Sequence, residues 1–176
     1  MNAQKYTQKS LEAIQNAQSL ATEYGNQQIE QPHILLALLQ AENGLIPQLL
    51  ENMGLTVPSL HAAVQAEVEK LPRVSGSGRE QGKIYVAQDV DQALNAAESI
   101  AASMKDEYVS VEHLLLALVE HPNRALKELF RTYNISKEGV LQALSKVRGN
   151  QRVTSDNPEE TYDALKKYGT DLVERA

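Results

Sequence analysis

The stretch His33-Ile34-Leu35-Leu36-Ala37-Leu38 returns as His113-Leu114-Leu115-Leu116-Ala117-Leu118, eighty positions further along a chain of 176 residues. Working outward from that match, residues 6–67 align with residues 86–147 without a gap. Ala13, Ala17, Ser19 and Ala21 recur as Ala93, Ala97, Ser99 and Ala101, Leu49 as Leu129, and Ala63 as Ala143. About one position in five is identical, yet the apolar positions agree far more often. That is the pattern of a duplicated unit whose packing faces are more constrained than its residue identities.

Each copy reads as four helices, because its apolar residues fall three or four apart. The first helices carry Leu11, Ile14, Ala17, Ala21 and Tyr24, matched by Val90, Leu94, Ala97, Ala101 and Met104. The second carry Ile34, Leu35, Leu38 and Leu39, matched by Leu114, Leu115, Leu118 and Val119; the third carry Ile46, Leu49, Leu50 and Met53, matched by Leu126, Leu129, Phe130 and Tyr133. The fourth centre on Leu60 and Val64, and on Val140 and Leu144. Gly54 aligns with Asn134, two residue types that enter the left-handed region after a helix end, and Thr56 aligns with Ser136, both good N-caps. Short helices of one copy cannot bury their apolar faces alone. The expected fold is therefore all-α, with two pseudo-symmetric four-helix repeats packed as one eight-helix domain.

Residues 1–71 form the first repeat in this reading and residues 85–149 the second. Between them, residues 72–84 are rich in Gly, Ser and charge, the composition of an exposed connection that joins the halves without packing between them. After residue 149 a polar, loop-like stretch leads to Pro158 and a new amphipathic segment bearing Tyr162, Leu165, Leu172 and Val173. That tail has too few apolar residues for a core of its own and reads as the beginning of a further module.

Composition narrows the function. With 42% hydrophobic and 23% charged residues the chain is a soluble globular type. Seventeen basic against twenty-three acidic residues leave a net charge of −6, and no Lys/Arg cluster stands out, so no nucleic-acid partner is expected. No long apolar run and no basic-then-apolar start occur, so the expectation is no membrane association and a cytoplasmic location. The absence of cysteine excludes disulfides, thiolate metal sites and cysteine nucleophiles.

Searches for chemistry return little. The run from Gly76 to Ile84 superficially resembles a phosphate loop, but three residues separate Gly78 from Gly82 where four are needed, and Ile84 stands where Ser or Thr is required. The histidines His33, His61, His113 and His121 lack metal-ligand spacing. His33 and His113, matched near helix starts, fit a local hydrogen-bonding role better than a catalytic one. No serine sits in a nucleophile-elbow context or beside an evident His and Asp partner, although a hydrolase using His113 with a carboxylate at the seam between the copies is a conceivable rival. No catalytic residue and no metal ligand is assigned. Three polar residues at helix entrances and loops remain: Thr7 and Glu112, read structurally as a cap and as a carboxylate near a helix N-terminus, and Asp106, read as a turn residue.

The duplicated unit carrying Thr7-Gln8-Lys9-Ser10-Leu11, then IEQPHILLALL at 29–39 and YVSVEHLLLAL at 108–118, resembles the N-terminal Clp domain of the AAA+ unfoldases over essentially residues 1–149. Residues 147–172 are similar to the linker entering the first ATPase module of the disaggregase branch of that family. The resemblance implies a piece of a homohexameric, ATP- and Mg-dependent threading machine that works with the DnaK chaperone system on unfolded or aggregated polypeptides. The piece itself would be a monomer without a cofactor. It implies polypeptide binding at Thr7, Asp106 and Glu112 on the rim of an apolar groove, with Leu94 and Ile100 as candidate groove residues. The alternative within the family is an adaptor-docking domain of a ClpC-like or ClpA-like protease-associated unfoldase.

Overall fold

The computed structural model describes residues 3–41, 44–74 and 84–148. The amphipathic tail after residue 149 and most of the inter-repeat connection lie outside the described residues. A 3-10 turn, Ala3–Lys5, leads into α1 (Gln8–Glu23), β1 (Gln28–Ile29), α2 (Gln31–Gln40), α3 (Leu45–Asn52) and α4 (Val57–Glu69). The second copy follows as β2 (Tyr85–Val86), α5 (Gln88–Ser103), α6 (Val111–Glu120), α7 (Arg124–Thr132) and α8 (Lys137–Arg148). The all-α, eight-helix duplication expected from the sequence is what the chain forms.

Two helices are apolar almost all round, and they sit at the centre. Residues 31–39 of α2 and 111–118 of α6 are buried without a break, so neither helix has a face to offer solvent. Within each copy the first helix packs on the second, α1 on α2 and α5 on α6. Contacts between copies then come in matched pairs: α3 packs on α8 as α7 packs on α4, and α3 meets α6 as α7 meets α2. Each copy thus covers the other's central helix.

Two parallel strand contacts stitch the copies together, and sequence reading missed both because two residues carry no periodicity. Gln28 and Ile29 pair with Tyr85 and Val86. Their repeat-related counterpart is an isolated parallel bridge between Tyr6 and Val109, with Thr7 N donating to Val109 O at 2.9 Å and Val109 N to Lys5 O at 2.7 Å. The start of each copy therefore pairs with the α-hairpin loop of the other. The first residues of the inter-repeat connection are bonded to the first copy. Val74 N donates to Gly25 O (2.8 Å) and Asn26 Nδ2 to Pro72 O (3.0 Å), so residues 72–74 are fastened to the first copy.

Helix ends are repeated as faithfully as helix faces. Gly25 (φ 72°) and Lys105 (φ 61°) occupy matched left-handed positions after α1 and α5, where Asn26 N returns to Ala21 O and Asp106 N to Ala101 O. Gly54 (φ 84°) and Asn134 (φ 56°) do the same after α3 and α7, as expected. Ser136 caps α8 through Gly139 N (3.1 Å), whereas Thr56 stands at the N-cap of α4 without a side-chain bond. Only the Lys105 end places a long side chain at positive φ, which costs an L-residue about 1 kcal/mol. We expect Lys105→Gly to raise unfolding stability by up to about 1 kcal/mol and Gly25→Ala to lower it by about the same amount. Urea titration of both variants checks this, and a destabilised Lys105→Gly would contradict it.

Candidate functional site

The segment joining α5 to α6 collects the polar candidates. On one side of it Thr7 is fully buried as the N-cap of α1, accepting from Ser10 N at 3.2 Å, while Ser10 Oγ donates to Val109 O at 2.8 Å. On the other side, Asp106 binds His113 Nε2 through Oδ2 at 2.7 Å and accepts from Arg148 Nη2 through Oδ1. Arg148 Nη1 stands 3.7 Å from Oε2 of Glu112, a fully buried carboxylate neither of whose oxygens receives a hydrogen bond. Asp106, Glu112 and Arg148 thus form one internal cluster, with Thr7 across the segment from it. Arg148 carried no sequence signal, because a cation at the end of a helix ordinarily reads as a solvated, dipole-compatible residue.

The groove candidates are inside as well. Leu94 is 6% exposed and Ile100 9%, so both belong to the core in this conformation. The residues that the family resemblance implied as a polar rim and apolar floor are therefore buried in this conformation.

The histidines solve the same local problem twice. Nδ1 of His33 accepts from Glu30 N and Nδ1 of His113 from Ser110 N, both at 2.9 Å. Since a backbone N–H only donates, the ring proton sits on Nε2, which donates to Asn26 Oδ1 at 2.8 Å in copy one and to Asp106 in copy two. The ring closes the helix start and locks the preceding turn at once. One consequence corrects the sequence reading that no serine lies beside a His and Asp pair: Ser110 Oγ is 3.1 Å from His113 Nδ1. The three are buried, the Nδ1 lone pair already holds the Ser110 amide, and copy one builds the same cap from Glu30, His33 and Asn26. The arrangement is a cap, not a nucleophile relay.

The repeat supplies an internal control for the ionic cluster. Asp106, Glu112 and Arg148 correspond to Asn26, Pro32 and Val68, all buried and all uncharged. The fold therefore does not require charge at these places. In copy one the turn is tied to the end of the fourth helix through Pro72 O; in copy two the tie is ionic. Burial pushes the Glu112 carboxyl above its ordinary range and outweighs the Arg148 guanidinium. Buried charge retained where its repeat partner is neutral marks the α5–α6 side as the specialised one.

Among the described residues no group of His, Asp and Glu could hold a metal ion. No described helix is long and apolar enough to cross a membrane.

Two measurements follow from this geometry. Arg148→Met leaves two buried carboxylates without their cation and is expected to cost about 3–5 kcal/mol. Adding Asp106→Asn, which recreates the neutral pair of copy one, should recover part of that loss in denaturant titrations. Burial holds the His33 imidazole down at about 4, from an ordinary 6.5, so between these values the unfolded chain binds a proton that the folded chain does not. The stability due to neutral His33 is complete above pH 6.5 and is lost as pH falls toward 4, by roughly 2–3 kcal/mol. Comparing the pH profile of unfolding with that of His33→Gln isolates this contribution, and an unchanged slope would refute it.

Comparison with known proteins gives the arrangement its family. Residues 5–133 match the Clp repeat N-terminal domain. The chaperone protein ClpB of Nitratidesulfovibrio vulgaris is 44% identical over 177 aligned residues, covering the whole of this chain and 20% of that protein; the chain thus spans about a fifth of the length of the curated relatives it matches. The N-terminal domain of Hsp104 from Candida albicans superposes with a TM-score of 0.76 at 24% identity, over 88% of this chain and 99% of that one. A ClpV N-domain solved in complex with a VipB peptide superposes with a TM-score of 0.65 at 17% identity, over 89% and 91% of the two chains. Duplicated helices, swapped strand pairing and family match agree, and the chain belongs to the Clp repeat N-terminal domain family.

Proposed function

We propose that this chain is the substrate-engaging N-terminal module of a larger ATP-driven protein disaggregase. It would engage unfolded or aggregated polypeptides and deliver them to the pore of the ATPase rings. The observation that carries the reading is the alignment of the entire chain with a fifth of a ClpB chaperone at 44% identity. The parent is then a cytoplasmic homohexamer that uses ATP and Mg and cooperates with the DnaK system, while the module is a monomer that binds and does no chemistry. The peptide seen on a ClpV N-domain supports polypeptide as the ligand class.

In this proposal Thr7, Asp106 and Glu112 define the binding region, with Leu94 and Ile100 as its apolar floor. Since these side chains are covered, an incoming chain reaches them when the α5–α6 segment moves off the start of α1. The links to be released are the Thr7–Val109 and Val109–Lys5 backbone bonds, the Ser10–Val109 bond and the Asp106–Arg148 ion pair. Apolar segments of an unfolded chain then bury against Leu94 and Ile100, and the carboxylates favour flanking Lys and Arg. Opening opposes binding, so affinity stays modest, which suits a module that must release its cargo.

The test is amide chemical-shift mapping of the chain against an unfolded model polypeptide, repeated with Thr7→Ala, Asp106→Ala and Glu112→Ala. Shifts are expected around Thr7, Ile100 and Asp106, with weaker binding in each variant that circular dichroism shows to be folded. A folded chain that shows no shifts would overturn direct engagement and move the weight to adaptor docking.

A further inference from the structure

The two seams between the copies are related by the repeat but finished differently. At the first, Tyr6 N donates to Ala3 O of the 3-10 turn at 3.1 Å. Its ring is buried at 2% exposure, and its hydroxyl donates to Glu98 at 3.1 Å. At the second, Val86 holds the matched position. Tyr85 N and Ala87 N point to β1, bonding Gln27 O and Ile29 O. Direction alternates along a strand, so the N–H and C=O of Val86 face away from β1, and no described residue bonds to them. Among the described residues, Tyr85 and Val86 are also the large hydrophobic side chains left exposed, at 53% and 49%. An open strand edge with apolar side chains is what folds ordinarily cover or charge, and the first copy does cover its own.

Beside this edge lies a cleft of about 390 Å³ lined by Gln28, Glu30, Ala87, Gln88, Asp89 and Gln92. Among the described residues no basic side chain lines it. Asp91 adds a further acid in the first turn of α5. One carboxylate oxygen of Asp89 accepts from Asn123 Nδ2 at 3.1 Å, while the other is shielded from solvent with no hydrogen-bond partner. Burial, and then the neighbouring Asp89, push the Glu30 carboxyl above its usual range.

We propose that the β2 edge binds an extended polypeptide segment, which adds as a further strand along Tyr85 and Val86 and sets a Lys or Arg side chain in the Glu30–Asp89 cleft. A free strand edge selects backbone rather than a particular side chain. In the first copy the outward amide of Tyr6 is satisfied locally, by Ala3 O of the preceding 3-10 turn, whereas the matched amide of Val86 has no described partner. The two carboxylates, with no cation among the described residues that line the cleft, supply the preference for a cation. The choice of a polypeptide from outside rests on the function proposed above, but the place is the opposite seam from Thr7, so the two sites stand or fall separately.

The probe is a short synthetic peptide alternating Val and Thr around a central Lys, titrated into the whole chain by amide NMR. Shifts are expected at Gln28, Glu30, Tyr85, Val86 and Asp89, together with slowed hydrogen exchange of the Val86 amide. Removing one main-chain hydrogen bond, by N-methylating the peptide or by Val86→Pro, should weaken binding by about fivefold. Should Val86→Pro fail to fold, the N-methylated peptide alone carries the main-chain test, and Tyr85→Ser tests the apolar contact of the edge. Glu30→Gln should weaken the Lys peptide but not its Glu counterpart. Shifts confined to Thr7 and Asp106 would overturn this site while leaving the proposed function standing, and shifts nowhere would remove both. Binding indifferent to N-methylation would overturn strand addition.

Discussion

The structure depends on the mutual burial of α2 and α6. Both helices are apolar almost all round, so a single copy would leave an apolar face of its central helix in water, with a penalty of about 25 cal/mol per Å². The third helix of each copy crosses over to pack on the other's central helix, and the fourth helix of each meets the other's third. Duplication is therefore not an embellishment of a stable unit. It is the condition under which either copy has an inside.

Once the central helices are buried, their N-termini must satisfy backbone donors away from water. His33 and His113 do this from the third helical position, and each reaches a second partner in the preceding turn. One residue type thereby couples the helix start to the left-handed turn before it, and that turn positions the strand that pairs with the other copy. A local cap is in this way tied to the assembly of the two halves.

The copies diverge where the fold permits it. Copy two holds Asp106, Glu112 and Arg148 where copy one holds Asn26, Pro32 and Val68, and copy one satisfies the outward amide of Tyr6 in its 3-10 turn where no described residue bonds the matched amide of Val86. Buried ions are a poor way to gain stability, and a neutral alternative is visible in the same molecule. Both departures from symmetry lie on or beside the segments through which the two halves pair.

The helix count, the repeat and the positive-φ residues Gly54 and Asn134 were legible in the sequence, because periodicity and backbone sterics are local properties that survive divergence of identity. The structural role of the two histidines was also legible, since matched placement near helix starts is itself a pattern. The strand pairing was not, for two-residue strands leave no period and their partners lie far along the chain. Nor was the burial of Thr7, Asp106 and Glu112, which had read as loop and rim residues. The sequence by itself determined which residues form helices and which faces are apolar. Only the tertiary structure decided which polar groups go inside, because burial of a charge depends on a partner such as Arg148 being brought from the end of another helix.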